Sequence, residues 1–230
     1  MKSIFILTGA GVSAESGVPT FRGGDGLWEG HRAEDVATPE GFERNPELVH
    51  AFYNGRRQRL SSVEPNPAHL AIARLQRECP VTLVTQNVDD LHERAGSGHV
   101  IHMHGELLKA RCGRCGAVLD WGGDMDASSI CKKCRKAGAM RPHIVWFGEM
   151  PLEMDAIDAA IVSAGLFVAI GTSGNVYPAA GFASIAAGHG IPTLEINPDE
   201  TGISGVFDER RRGPAGKVVP IWAEEILGGR

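Results

Sequence analysis

No apolar run in the sequence approaches the roughly 18 residues that a membrane helix needs. A basic surplus is missing too. The chain carries 23 Lys and Arg against 28 Asp and Glu, a net charge of −5, which argues against general nucleic-acid binding. Disorder and collagen-like repetition are excluded, because 43% of the residues are hydrophobic and the 30 Gly and 13 Pro are scattered without period. There is no internal repeat and no low-complexity tract. Before the first apolar run, Ile4–Thr8, there is no room for a signal or transit peptide, which predicts a cytoplasmic location. What is present is 230 residues, enough for one substantial core with a small module attached.

Of the five cysteines, four form two tight pairs: Cys112-x-x-Cys115, then fifteen intervening residues, then Cys131-x-x-Cys134. Without a secretory signal this pattern reads as metal ligation, and two such knuckles can supply four thiolates to a tetrahedral zinc ion. A shell closed by four cysteines has no position for water or substrate, so the zinc is expected to be structural. The nearby Arg111, Arg114, Lys132, Lys133, Arg135 and Lys136 would suit a nucleic-acid-binding zinc ribbon, but they equally offset the negative charge of thiolates. Cys79, alone before Pro80, reads as a small buried thiol.

Short apolar runs at Ile4–Thr8, Val81–Thr85, Leu166–Ile170 and Thr193–Ile196, each bounded by turn residues, read as buried parallel strands. Helix signals lie between them. Asn66-Pro67 fits an N-cap with Pro at the first helical position, followed by Ala68, Ile72 and Leu75 on one face. Pro151 opens a second candidate helix with Ile157, Ile161 and Val162 on its apolar side. The alternation predicts an α/β fold, a doubly wound Rossmann-like parallel sheet. Two stretches interrupt it. Residues 29–65 hold a helix opened by Asn45-Pro46 and no strand; residues 109–139 hold the cysteines and few large apolar residues. Neither could bury a core alone. The expectation is one domain over 1–230, with a Rossmann-like part at 1–28, 66–108 and 140–230, a helical insertion at 29–65 and a smaller inserted zinc-binding module at 109–139.

In open α/β sheets ligands bind beyond the carboxyl ends of the strands. The first strand runs into Gly9-Ala10-Gly11-Val12-Ser13-Ala14, a G-x-G-x-x-A turn whose glycines let backbone approach a pyrophosphate, although a plain tight turn explains it as well. A dehydrogenase would place an acidic residue at the end of its second strand, about 20 residues on. That distance lands on Asp25 and Glu29, in or beside a loop, so the oxidoreductase reading loses ground. The other strands end in Gln86-Asn87-Val88-Asp89-Asp90, Gly171-Thr172-Ser173 and Asn197-Pro198-Asp199. The first of these could equally be Asn/Asp helix capping, and any one loop could be chance; four together point to an extended nucleotide. Ile101-His102-Met103-His104-Gly105 adds two histidines which, on an extended chain, would point the same way.

Gly9-Ala10-Gly11-Val12-Ser13-Ala14-Glu15-Ser16-Gly17-Val18-Pro19-Thr20-Phe21-Arg22 resembles the signature of the sirtuins, the NAD-dependent protein lysine deacylases. So do Thr85-Gln86-Asn87-Val88-Asp89, His104-Gly105, the paired cysteines, Gly171-Thr172-Ser173 and Asn197-Pro198, in the family's order across nearly the whole chain. The resemblance implies that NAD is consumed and that the zinc is structural. It implies an NAD site formed by Gly9, Ala10, Gly11, Ala14, Glu15, Thr20, Phe21, Arg22, Trp28, Gln86, Asn87, Val88, Asp89, Gly171, Thr172, Ser173, Asn197, Pro198, Asp199 and Ala215. The His directly before Gly, His104, is implied as the general base, with His102 in support; an imidazole suits that task at neutral pH. In the implied reaction the acyl oxygen of a modified lysine displaces nicotinamide from its ribose. His104 then helps a ribose hydroxyl attack the acyl carbon, and water completes release of free lysine and O-acyl-ADP-ribose.

Tyr53 and Arg56 are i, i+3 neighbours on the helix over residues 45–60, a pairing that by itself suits a solvated face. A subgroup of sirtuins resembles this chain in carrying Tyr-x-x-Arg there and Thr at the position of Thr20. An arginine fork with a phenol hydroxyl can hold a carboxylate, so succinyl- or malonyl-type lysine is the expected substrate, with acetyl-lysine weaker because it would leave Arg56 unpaired. His143–Glu149, with Val145, Trp146 and Phe147, is expected to form an edge strand on which an acylated peptide or protein adds as a β-strand. No membrane or nucleic-acid partner is expected. Three other readings remain: a nicotinamide- or flavin-linked oxidoreductase, a zinc-bearing binding module without activity, and mono-ADP-ribosyl transfer.

Overall fold

The computed structural model describes residues 3–19 and 27–229. In chain order its elements are β1 (Ile4–Thr8), β2 (Leu27–Trp28), β3 (His31–Arg32), α1 (Ala33–Val36), α2 (Pro39–Arg44), α3 (Pro46–Leu60), α4 (Pro67–Glu78), β4 (Val81–Thr85) and α5 (Leu91–Arg94). There follow β5 (Ile101–His102), β6 (Gly105–Cys112), β7 (Val118–Asp120), β8 (Met140–Ile144), α6 (Met154–Ser163), β9 (Leu166–Ile170), α7 (Phe182–Gly188), β10 (Thr193–Asn197), β11 (Glu209–Arg212) and α8 (Ala215–Gly228). The main sheet has the order β11-β10-β9-β1-β4-β5 and every pair in it is parallel.

β1 is central, and all five of its residues are buried. Alternation along a strand sends successive side chains to opposite faces. Ile4 and Ile6 therefore pack with Ile72 and Leu75 of α4 and Val219 and Trp222 of α8. Phe5 and Leu7 pack with Phe167, with Ile157 and Ile161 of α6, and with Phe182 of α7. Helices thus cover both faces, the doubly wound arrangement expected. The α4 cap is as the sequence suggests: Asn66 Oδ1 accepts from Ala68 N at 2.9 Å, and His69 Nδ1 accepts from Asn66 N at 3.2 Å. Asn45 caps α3 in the same way, accepting from Leu48 N at 3.1 Å. Cys79 is buried.

Four expectations need correction. The second candidate helix starts at Met154 rather than at Pro151, because Glu153 just before it is left-handed (φ 58°). Val162 is 49% exposed and does not share the buried face of Ile157 and Ile161. The segment after residue 28 is not strandless, since β3 pairs with β2 in a hairpin. The edge strand expected over His143–Glu149 ends at Ile144; beyond it Val145 N donates to the His104 carbonyl and Phe147 N to the Ala37 carbonyl. Those two amides are thus used within the chain.

A second sheet, β7-β6-β8, is antiparallel and carries the cysteine module; its strands reach beyond residues 109–139 at both ends. The module's own buried cluster consists of Ala110, Cys112, Ala117, Met125, Cys131 and Met140. A separate cluster joins α3 to this sheet through Val49, Phe52, Tyr53, Leu60, Leu107, Ile144 and Trp146. Asn54 ties the two further, donating to Met125 O and accepting from Met125 N, both at 2.9 Å. Among the described residues no helix is long and apolar enough to cross a membrane.

Candidate active site at the carboxyl edge of the sheet

The strands of the main sheet deliver their carboxyl ends to one side, and there the chain leaves a cavity of about 750 Å³. Its size suits a ligand larger than a single metabolite fragment. Gly9, Ala10, Gly11, Ala14 and Glu15 line it after β1; Gln86, Asn87, Val88 and Asp89 after β4; Gly171, Thr172 and Ser173 after β9; Asn197, Pro198 and Asp199 at the end of β10; and Ala215 at the start of α8. Trp28, Tyr53, Arg56, His104, Val145, Trp146 and Phe147 close it from the second sheet and the helical segment. Thr20, Phe21 and Arg22 lie outside the described residues.

The glycines at β1 and β9 are required by close approach. A Cβ on Gly11 would stand 2.7 Å from Gly171 Cα and 2.8 Å from Gly171 O, and Gly171 itself is left-handed (φ 62°). Gly11→Ala is therefore expected to cost about 1–3 kcal/mol of stability and to diminish the rise in melting temperature on adding NAD. An unchanged melt with an unchanged NAD-dependent shift would show that the Gly171 loop yields freely.

Behind the cavity lies a buried polar network. Asn87 Nδ2 donates to Ser13 Oγ at 3.0 Å, and Ser13 Oγ donates to Asp89 Oδ2 at 3.0 Å. Since His69 Nδ1 accepts from Asn66 N, its proton resides on Nε2, which donates to Ser13 Oγ at 3.3 Å. Asp89 Oδ1 takes the amide of Leu91 at 3.2 Å, so both carboxylate oxygens are engaged. Burial raises the Asp89 pKa and depresses that of His69 to about 4, so the His69 ring is neutral at physiological pH. On the other half of the cavity, Gln86 Nε2 donates to Thr172 Oγ1 at 3.0 Å and Asn197 Nδ2 to Thr172 O at 2.7 Å. Glu15 accepts from Gly216 N at 2.6 Å in the first turn of α8.

The two histidines do not share an environment, contrary to the strand-parity expectation, because the chain turns at Met103 and His104 between β5 and β6. His102 is buried, with Nε2 2.7 Å from Glu93 Oε1 and Nδ1 3.2 Å from Asn87 O. Burial disfavours its charge, but the Glu93 carboxylate outweighs that and raises its pKa. His104 lines the cavity. Its Nδ1 lies 3.0 Å from the Gln86 carbonyl, which can only accept, so Nδ1 carries the proton and Nε2 keeps the lone pair. Burial lowers the His104 pKa, more than the bond to Gln86 raises it.

Tyr53 is fully buried, and its oxygen accepts from Trp146 Nε1 at 3.0 Å, which leaves the phenol proton available to a further acceptor. Burial pushes its pKa up to about 12, so it remains a donor. Arg56 lies beneath the Trp28 ring, its guanidinium carbon 4.4 Å from the centroid. It is not waiting for a partner: Nη1 holds Glu29 Oε1 at 2.5 Å, and Glu29 also engages Arg59. The argument that acetyl-lysine would leave Arg56 unpaired therefore fails. Glu29, Arg59 and Ser13 also line the cavity, though the sequence does not single them out as site residues. Ser13 lies within the quoted glycine motif, which is the one signal that could have found it.

The four paired cysteines converge away from the cavity, with all their sulfurs within 4.8 Å of one another. Cys112 Sγ lies 3.8 Å from Cys134 Sγ and Cys115 Sγ 3.8 Å from Cys131 Sγ. A tetrahedron with Zn–S bonds of about 2.3 Å has S···S edges of about 3.8 Å, so the set fits zinc. The amides of Cys115 and Arg114 point to Cys112 and lower its pKa to about 6, and those of Cys134 and Lys133 lower that of Cys131.

The sequence matches the Sir2 family over residues 9–178. It is 56% identical over 230 residues to an NAD-dependent protein deacylase of Shigella flexneri, covering 98% of this chain and 84% of that protein. A Sir2 homolog solved as an NAD complex superposes with a TM-score of 0.91 at 42% identity, covering 99% of this chain and 90% of that one. Sir2Tm bound to a propionylated peptide gives 0.81 at 28% identity, with 98% and 93% coverage.

Proposed function

The chain belongs to the Sir2 family and is an NAD-dependent protein deacylase, and on that premise we propose that its cavity serves lysines bearing short acidic acyl groups as well as acetyl. One observation carries the reading: Tyr53 and Arg56 line the same cavity as His104, and Arg56 already holds a carboxylate there. The Tyr53 hydroxyl supplies a donor that Trp146 does not use, and the Arg56 guanidinium supplies charge. Together they match a terminal carboxylate on an acyl chain.

NAD supplies the electrophilic ribose carbon and the nicotinamide leaving group. The chain supplies the surroundings. Asn87 and Asp89, fixed by Ser13 and Leu91, would hold the nicotinamide and its ribose; Gly9, Gly11, Thr172 and Ser173 would receive the phosphates and adenosine half. His104 takes the proton of a ribose hydroxyl at Nε2, while Nδ1 stays bonded to Gln86 O and fixes the tautomer. The cysteine tetrad would hold zinc in a closed shell, with no position left for substrate or water. The segments carrying α3 and the cysteines act with the Rossmann-like sheet as one catalytic unit, since each contributes a wall of the cavity or supports one.

Arg56→Met is expected to lower kcat/KM for a succinyl-lysine peptide about 10- to 100-fold, the loss of a charge-assisted contact, and to change the acetyl-lysine value far less. Mass spectrometry of matched peptides with NAD measures both. Equal losses would sink the carboxylate clamp while leaving the deacylase intact.

A further inference from the structure

We propose that Glu29 is a specificity-determining residue: its carboxylate occupies Arg56 and competes for that guanidinium with the carboxylate of an acidic acyl-lysine. The proposal rests on the clamp reading of Tyr53 and Arg56. The side chains of Arg56 and Glu29 are only 9% and 15% exposed, so the pair sits largely out of water, where charge attraction is weakly screened. The Trp28 and Phe52 rings lie 4.4 Å and 5.6 Å from the guanidinium carbon and restrict its position. An arriving carboxylate therefore meets an arginine that is fixed and already neutralised on its Nη1 side.

Two features make the contact displaceable rather than permanent. Glu29 shares its other oxygen with Arg59, whose side chain is 55% exposed, so a Glu29 that leaves Arg56 still has a cation partner. Arg56 Nε is buried and has no hydrogen-bond partner among the described residues, so the guanidinium is not saturated by Glu29. A neutral acyl group makes no demand on Arg56 and leaves the Glu29 pair in place. An acidic one competes with Glu29 for the Arg56 guanidinium, and Glu29 can shift toward Arg59 as it binds. Arg56 thus favours acidic acyl groups and Glu29 opposes that preference, and the balance between them sets the acyl selectivity of the chain.

The test is the ratio of kcat/KM for matched succinyl-lysine and acetyl-lysine peptides in the whole protein, its Glu29→Gln variant and its Arg56→Met variant, alone and combined. Gln keeps the shape of Glu29 and removes its charge. The ratio is expected to rise about three- to tenfold in Glu29→Gln, the size of one ordinary net hydrogen bond, because the acyl carboxylate regains only part of what Glu29 held. The rise should come from a lower KM for the succinyl peptide and should vanish when Arg56 is Met. Glu29→Asp, which draws the carboxylate back by one methylene, should move the ratio the same way by less. An unchanged ratio in Glu29→Gln, with Arg56→Met still selective against succinyl, overturns the role of Glu29 and spares the clamp. A lower ratio overturns it too, assigning Glu29 to orienting Arg56 for substrate. If Arg56→Met loses both activities equally, the clamp itself has failed and the proposal falls with it.

Discussion

Replacing His104 by Ala is expected to lower NAD-dependent deacylation about 100- to 10,000-fold, the range for loss of a positioned general base, with little change in melting temperature. The small structural effect follows from the contacts. Among the described residues the ring makes one hydrogen bond, to the Gln86 carbonyl, and it lines the cavity, so its removal opens no hole in either apolar face of the sheet. His104→Asn separates the two functions of the ring. An amide N–H can still reach Gln86 O, but no basic nitrogen remains. Activity should be as low as in the Ala variant, and NAD binding, read by the thermal shift, should persist. Deacylation within a few-fold of the unsubstituted chain in either variant would remove His104 from the chemistry.

The pH profile gives an independent reading of the same residue. A general base acts only when neutral, and burial holds His104 below the ordinary imidazole value of about 6.5. Activity should therefore be present at neutral pH and be lost as pH falls through that lowered value, placing the acid limb of kcat/KM below about pH 6.5. His102 has the opposite shift, and its Glu93 partner keeps it charged to higher pH. A limb above the ordinary value would thus implicate His102 instead. The two histidines, two residues apart in sequence, are distinguishable by the direction in which their surroundings move them.

The main sheet was legible where burial on both faces forces unbroken apolar runs. β1, β4 and β9 begin and end at the residues expected, and β10 gains only Asn197. β5 has two residues, and β11 reads Glu-Arg-Arg-Arg. Both are edge strands, and an edge needs no apolar pattern and is commonly kept charged. The loops of the cavity were legible for the same reason as the strands: a parallel sheet brings its strand ends together whatever lies between them. The contacts that set the chemistry of those loops were not. Ser13 meets His69, and Glu29 meets Arg56, across long separations that no local period encodes. Tyr53 and Arg56 could be placed on one helix, but the carboxylate already resting on Arg56 became visible only with the hairpin between β2 and β3 in place. The parity argument for His102 and His104 failed because it assumed a continuous strand where the chain turns.

Removal of zinc is expected to unfold the cysteine module and abolish deacylation without touching a group that reacts. The module's buried cluster has alanines, methionines and thiols but no buried Leu, Ile or Phe, so its apolar burial is small. Structural zinc in comparable small sites contributes about 10–16 kcal/mol at neutral pH, far more than such a cluster can supply. The damage should travel by two routes. β6 runs from Gly105, next to His104, to Cys112, and β8 leads into Val145 and Trp146, so a loosened module frees both the base and the indole that bonds Tyr53. Gly105 leaves no slack at that junction, because a Cβ there would overlap the His143 carbonyl. The second route is Asn54, whose paired hydrogen bonds to Met125 attach α3, with Tyr53 and Arg56, to the module. Cys112→Ser or complete chelation should lower the melting temperature, release one zinc per chain and remove succinyl and acetyl activities together, unlike Arg56→Met. Readdition of zinc to the chelated protein should restore both, while Cys112→Ser should stay impaired. Full activity and an unchanged melt after verified removal of the metal would mean that the contacts to α3 hold the module by themselves.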